Sequence, residues 1–266
     1  MPLVQTTSSP ITSITSRRSW GAVLAGYLAL ALTYHAAEYA MRFHQHIPLF
    51  LGLMLAVVPV AYVVARLQGF PGLKAWGMQF NKKYALLLLV GLSLGLLVNG
   101  LALAVRLWMG IEVVSLVPDT ATVLTQTLLF AVGTFLPSLA EDILTRGYLF
   151  GHLQGKLSKW GFVLVSSAVY VLNHIHSLDD GFAALAYLFA LSIMLTIPLV
   201  YTKNLWYTVG AHWAGNIVYR LGQDVLKVEE GPSTFPGLWE LIIFVLLFAA
   251  VNYWVSRRMA KNLRLR

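Results

Sequence analysis

The chain has 266 residues, 58% of them hydrophobic and only 11% charged, with a mean hydropathy of +0.70 and a formal net charge of +8. A water-soluble domain usually carries about 25% charged residues; too little polar surface exists here to cover a soluble globule, and a bilayer is the better solvent. The absence of cysteine excludes disulfides, thiolate catalysis, Cys-type zinc sites and lipidation at Cys, and it leaves the redox compartment undetermined.

The first 18 residues form a polar, Ser/Thr-rich tail ending in Arg17 and Arg18. The apolar run after it has no clear small-residue cleavage site, so it reads as a retained anchor rather than a signal peptide. A spanning helix needs about 20 mostly apolar residues. Eight candidates follow: Trp20–Met41, Ile47–Ala65, Tyr84–Leu107, Thr122–Leu139, Trp160–Asn173, Gly181–Tyr201, Leu205–Leu221 and Leu238–Val255. The fifth is short. The fourth is expected to continue as helix past Glu141 towards Leu157. The loop Leu67–Lys83 reads as a plain connector at the cytoplasmic interface, and Gly222–Pro236 as a polar external loop. Unbroken runs such as Ala85–Gly91 lack strand alternation, which argues for helices over a barrel. The expected fold is therefore all-α, a polytopic bundle of about eight spans. One membrane-embedded domain is expected over residues 19–256, with a cytoplasmic tail at 1–18 and a basic cytoplasmic tail at 257–266.

Orientation follows from Lys and Arg. The N-tail, the second, fourth and sixth loops and the C-tail hold fourteen of them: Arg17, Arg18, Arg66, Lys74, Lys82, Lys83, Lys156, Lys159, Lys203, Arg257, Arg258, Lys261, Arg264 and Arg266. The other side holds Arg42, Arg106, Arg220 and Lys227. Both termini are thus expected in the cytoplasm, which an even number of spans allows. Basic flanks between apolar runs are explained by topology and anionic lipids, so nucleic acid is not an expected partner. Trp20, Trp160, Trp206, Trp239 and Trp254 fall near span ends, as interface anchors do.

An ionisable side chain at the bilayer centre costs roughly 2.5–3.5 kcal/mol on insertion scales, so such residues need a reason. Three clusters stand out. In Glu141-Asp142-Ile-Leu-Thr-Arg146-Gly147-Tyr148, Asp142 and Arg146 are four apart and can pair. Glu141 lies about 100° away, on the face of Tyr148, and has no intrahelical partner; such a carboxylate can act as a general base. In Tyr170-Val-Leu-Asn-His174-Ile-His176, Tyr170 and His174 share a face, whereas His176 turns to the interface beside Asp179 and Asp180. In His212-Trp-Ala-Gly215-Asn216, His212 and Asn216 share a face and Gly215 permits a close neighbour. Singly, these clusters read as charged span ends, a hydrogen-bonded core histidine and interhelical polar contacts. Together they supply the parts of peptide hydrolysis without a covalent nucleophile: carboxylate with imidazole to activate water, imidazole with amide to hold an oxyanion.

At these residues the sequence resembles the CPBP family, the CAAX-protease and bacteriocin-processing membrane proteins also called Abi. The family signature is Glu-Glu-x-x-x-Arg, Phe-x-x-x-His and His-x-x-x-Asn/Asp, each on its own helix. Here it reads Glu141-Asp142-x-x-x-Arg146, Tyr170-x-x-x-His174 and His212-x-x-x-Asn216, in the same order and spacing, within about Leu124–Tyr219. The resemblance implies an intramembrane glutamate-type endopeptidase. Glu141 and His174 would polarise water, His212 and Asn216 would form the oxyanion hole, and Asp142, Arg146 and Tyr170 would support the site. Asp142 stands where the family has a second Glu. Tyr170 replaces Phe and adds a hydroxyl within possible reach of Glu141 or water.

The expected substrate is a peptide or protein, lipidated or membrane-bound, cleaved near the cytoplasmic side of a prokaryotic cell membrane; membrane lipids are the other expected partner. No cofactor is expected, because no close-spaced zinc motif exists. The alternative is a divalent metal such as zinc at Glu141, His174 and His212. Two other function classes remain open: a non-catalytic scaffold or immunity protein of the same fold, and a proton-coupled transporter.

Overall fold

A computed structural model describes residues 19–235 and 237–265. The polar tail with Arg17 and Arg18, together with Pro236 and Arg266, lies outside the described residues. The helices are α1 (Trp20–His44), α2 (Ile47–Leu67), α3 (Lys82–Trp108), α4 (Thr120–Asp142), α5 (Tyr148–Leu153), α6 (Lys159–Asn173), α7 (Phe182–Thr202), α8 (Trp206–Arg220) and α9 (Gly237–Asn262). Their starts follow local chemistry: the side chains of Ser19, Asn81, Asp119 and Ser158 each accept a backbone N–H in the first turn of α1, α3, α4 and α6, satisfying donors that a helix leaves open. Hydrogen bonds from Thr122 to Asp119 hold that carboxyl below the usual carboxylate range.

The polytopic helical bundle is as expected. α4 and α5 are joined by a π-helical turn, Ile143–Gly147, into one rod from Thr120 to Leu153, so the fourth span does run on past Glu141. Among the described residues, six helical rods are long and apolar enough to cross a membrane. The fifth and seventh expected spans, α6 and α8, have 15 residues each. At 1.5 Å per residue they reach about 22 Å, short of a hydrocarbon core about 30 Å thick. α6 ends at Asn173, so the following His174 lies inside the bundle and not at the far interface. α8 continues into a second π turn, Leu221–Val225.

The outer faces are apolar: Leu24, Leu28 and Leu32 on α1, Leu89, Leu97 and Leu101 on α3, and Leu124, Leu128 and Val132 on α4 are all exposed. Glu141, Asp142 and Arg146 are buried. Apolar outside and ionic inside is the arrangement a bilayer favours.

One end of the bundle gathers the basic residues. Lys83 donates to the Leu263 carbonyl, Lys156 lies over the Trp20 ring, Lys159 lies over Tyr201, and Lys203 lies over Phe150. At the other end, Arg106 pairs with Glu112 at 2.6 Å and with Glu240 at 3.0 Å. A two-stranded antiparallel ribbon, β1 (Glu112–Val114) with β2 (Val228–Glu230), closes that end; β2 lies in the expected external loop, which therefore has more order than its composition signals.

Local packing departs from the sequence expectation in two places. α3 and α8 meet closely at Gly91, Gly95 and Gly210, where an added Cβ would press on the backbone of the facing helix. Gly215 is not such a contact, because the nearest atoms to its would-be Cβ are those of Asn99 at 3.8 Å. The loop Leu67–Lys83 is also more than a connector. Trp76 is fully buried, donates its indole N–H to the Ala61 carbonyl at 2.9 Å, and lies against Tyr148 and His152. Its backbone crosses so near Gly147 and Gly151 that a side chain at either position would collide with it.

Candidate active site

The three polar clusters converge. Glu141 comes from the end of α4, His174 from the C-terminal cap of α6, and His212 from the middle of α8. His174 Nε2 lies 3.7 Å from Glu141 Oε1, and His212 Nε2 lies 3.5 Å from Glu141 Oε2. The carboxylate therefore stands between two imidazoles. His174 is the most accessible of the three, its side chain 26% exposed against 10% for Glu141 and 7% for His212.

Asp142 faces the other way round the helix and meets two partners. It pairs with Arg146 at 2.5 Å, both side chains fully buried, and its Oδ1 lies 3.3 Å from His212 Nδ1. The second contact is close without hydrogen-bond alignment. Arg146 is further held by the hydroxyls of Thr145 at 3.1 Å and Ser192 at 3.3 Å, and its guanidinium sits 4.5 Å from the centroid of the Tyr170 ring. That ring also lies against His174, centroids 4.5 Å apart. Tyr170 thus uses its aromatic face here, as the Phe of the signature would.

The π turn explains a departure from the simple helical wheel. Seven-residue spacing predicts Glu141 and Tyr148 on one face. A π turn holds more residues than an α turn and shifts that register. Tyr148 accordingly turns to Tyr27, Trp76 and Gln68, while Glu141 turns to the histidines. The turn is tied locally: Ser166 donates to the Thr145 carbonyl at 2.9 Å, and Thr145 donates to the Glu141 carbonyl at 2.8 Å.

Asn216 shares a cavity with His212 but does not touch the carboxylates. Its amide donates to Ser138 Oγ at 2.8 Å, and that hydroxyl donates to the Thr134 carbonyl. The cavity has a volume of about 460 Å³ and is lined by Tyr170, His174, His212 and Asn216, by Asn99 of α3, and by apolar residues such as Leu191 and Met194 of α7. Its lining extends to Arg106, Glu112 and Gln223, the end of the bundle away from the basic residues. The cavity thus opens from the cluster towards Arg106, Glu112 and Gln223.

Residues 123–218 match a family model described as type II CAAX prenyl endopeptidase Rce1-like. This segment, about a third of the chain, is similar to CAAX-type membrane endopeptidases. No curated protein and no solved structure matches the chain. The matched segment contains every residue of the three motifs and the π turn, but not α1, α3 or α9.

A metal at Glu141, His174 and His212 was the alternative to a metal-free site. The two imidazoles address opposite oxygens of one carboxylate, and among the described residues no group of three His, Asp or Glu side chains has metal-holding geometry. The donor set does not fit a three-ligand ion.

Several contributors escaped the sequence reading. Ser138, Thr145 and Ser192 hold the catalytic candidates, yet Ser and Thr are common in membrane helices and gave no signal. Asn99 did carry one, a lone amide in the middle of an apolar span. His176 stays away from the cluster, its ring beside Phe43.

Proposed function

We propose that the chain is an intramembrane endopeptidase in which Glu141 and His174 activate water. The observation that carries this reading is the Glu141 carboxylate held between the Nε2 atoms of His174 and His212. Glu141, aided by His174, takes a proton from water. The water oxygen attacks the scissile carbonyl carbon, and the carbonyl electrons move to oxygen. His212 Nε2–H and the Asn216 amide, facing the same cavity, donate to that oxyanion. Collapse breaks the C–N bond, and the proton on Glu141 or His174 passes to the leaving amine.

Asp142 supports this by a double task. It neutralises Arg146, and its charge stands 3.3 Å from Nδ1 of His212, where it favours the ring protonated at both nitrogens that donation from Nε2 requires. The shorter acid at this position is compatible with both contacts. Four of the buried side-chain atoms without a hydrogen bond are Glu141 Oε1, Asp142 Oδ2, Arg146 Nε and His212 Nδ1. Such atoms concentrate where a site has work to do.

The substrate is a peptide reached within the bilayer, membrane-bound or lipidated. Prenylated peptides ending in a CAAX sequence are the first to try, given the family match. One membrane domain over 19–256, with both termini cytoplasmic, completes the reading. The test is cleavage of such peptides by purified protein in detergent, with Glu141→Gln as control. Loss of turnover by at least a thousandfold is expected; equal turnover by both forms sinks the assignment.

A further inference from the structure

We propose that the basic end of the bundle holds a site for a phosphate group, between α6, α7 and α9 and separate from the catalytic cavity. A depression of about 490 Å³ there is lined by Lys159, Tyr201, Tyr253, Arg257, Lys261 and neighbouring apolar residues. Three cationic residues and two tyrosines line it, and among the described residues no acidic side chain does. The catalytic cavity shares none of these residues.

Two of the three cations are held in place before any ligand arrives. Arg257 donates from Nη1 to the Tyr253 hydroxyl at 2.5 Å and lies over the same ring. Lys159 sits 4.4 Å from the centroid of the Tyr201 ring. Trp160 stacks on Tyr253, at an interplanar angle of 20°. An ordered guanidinium fork loses less freedom on meeting a phosphate than a waving side chain does, and it matches two phosphate oxygens. Lys159 is also the first residue of α6, a 15-residue helix, whose N-terminus adds positive potential to the same place. Lys203, next to this group, has its ammonium held below the ordinary lysine range by burial and then by the charge of Lys159. An anion between these cations relieves that repulsion.

Depth sets the source of the phosphate. Trp160, stacked on Tyr253, is exposed beside the site, at the level where indoles meet headgroups. The phosphate of an anionic phospholipid lies at that level, and its acyl chains would follow the exposed apolar faces of α6 and α9. Simple topology does not require this convergence: Arg66, Lys74 and Lys82 serve it equally well from outside the depression.

The test uses the full chain in detergent. Binding of phosphatidylglycerol and of phosphatidylcholine is titrated by native mass spectrometry, alongside inorganic phosphate followed by thermal protection. Three forms are compared: wild type, the triple variant Lys159→Gln/Arg257→Gln/Lys261→Gln, and a control triple, Arg66→Gln/Lys74→Gln/Lys82→Gln, with the same loss of charge. Each cation near an anionic headgroup contributes about fivefold. Saturable phosphatidylglycerol binding is expected, weakened at least tenfold in the site triple and less than twofold in the control. Arg257→Lys, which keeps the charge and loses the fork, should weaken it several-fold without disturbing the fold. Protection by inorganic phosphate with the same variant dependence would assign the site to a free phosphate instead of a lipid, and still support it. Equal weakening in both triples, or no preference for phosphatidylglycerol over phosphatidylcholine without phosphate protection, overturns the proposal.

Discussion

Asp142 Oδ1 lies 3.3 Å from His212 Nδ1 while the same carboxylate pairs with Arg146 at 2.5 Å. One acid therefore links a buried cation to a proposed oxyanion donor, across α4 and α8. Sequence spacing exposes only the first half of this relation, because Asp142 and Arg146 are four apart whereas His212 arrives from seventy residues away.

Asp142→Asn should separate the two tasks. The amide leaves Arg146 as an uncompensated buried charge, and breaking such a pair costs about 3–5 kcal/mol. A fall in the thermal midpoint in detergent checks this. Asp142→Glu keeps the charge but adds a methylene to a site with no exposed surface, which costs about 1–3 kcal/mol by overpacking. Glu should retain measurable peptide cleavage and Asn should lose it.

The oxyanion pair should show itself as a loss of kcat with little change in KM. Removing one such donor typically costs about 10²–10³-fold. His212→Gln and Asn216→Ala are each expected in that range in steady-state cleavage of a fixed peptide. Ser138→Ala, which removes only the acceptor that holds the Asn216 amide, should cost about tenfold. If Asn216→Ala raised KM alone, the residue would be a substrate contact and not a transition-state donor.

Much of this molecule was legible in its sequence. Apolar runs gave the bundle, and charges at forbidden positions gave the cluster of Glu141, His174 and His212. What stayed hidden has two physical sources. The π turn at Ile143–Gly147 changes the helical register, so the Tyr148 side chain could not be placed by an α-helical wheel. Close approach of backbones depends on what faces a glycine, not on the glycine: Gly215 looked like the packing residue, but Gly91, Gly95 and Gly210 are. Burial of Trp76 likewise depends on a partner, Tyr148, far along the chain.

Glycine substitutions test that distinction directly. Gly210→Leu should disrupt the contact of α8 with the Leu88 carbonyl of α3 and lower stability by more than about 3 kcal/mol. Gly215→Ala meets nothing closer than Asn99 at 3.8 Å and should leave the melting curve nearly unchanged. Since Gly215 lines the cavity, the extra methyl should act on KM instead.

The absence of cysteine makes orientation directly measurable, because any introduced thiol is unique. Lys82 and Lys261 belong to the basic end, whereas Val117 follows the far end of α3 and is 82% exposed. The positive-inside rule places the first two in the cytoplasm. Lys82→Cys and Lys261→Cys should therefore resist a membrane-impermeant maleimide applied to intact cells and react after lysis, and Val117→Cys should react without lysis. A thiol at Gln223, which lines the catalytic cavity near Arg106 and Glu112, then decides the direction of access. Labelling of Gln223→Cys from outside, slowed by a bound peptide, is expected if substrate enters along the cavity from the non-basic end. Labelling only after lysis would reverse that route and return access to the cytoplasmic face.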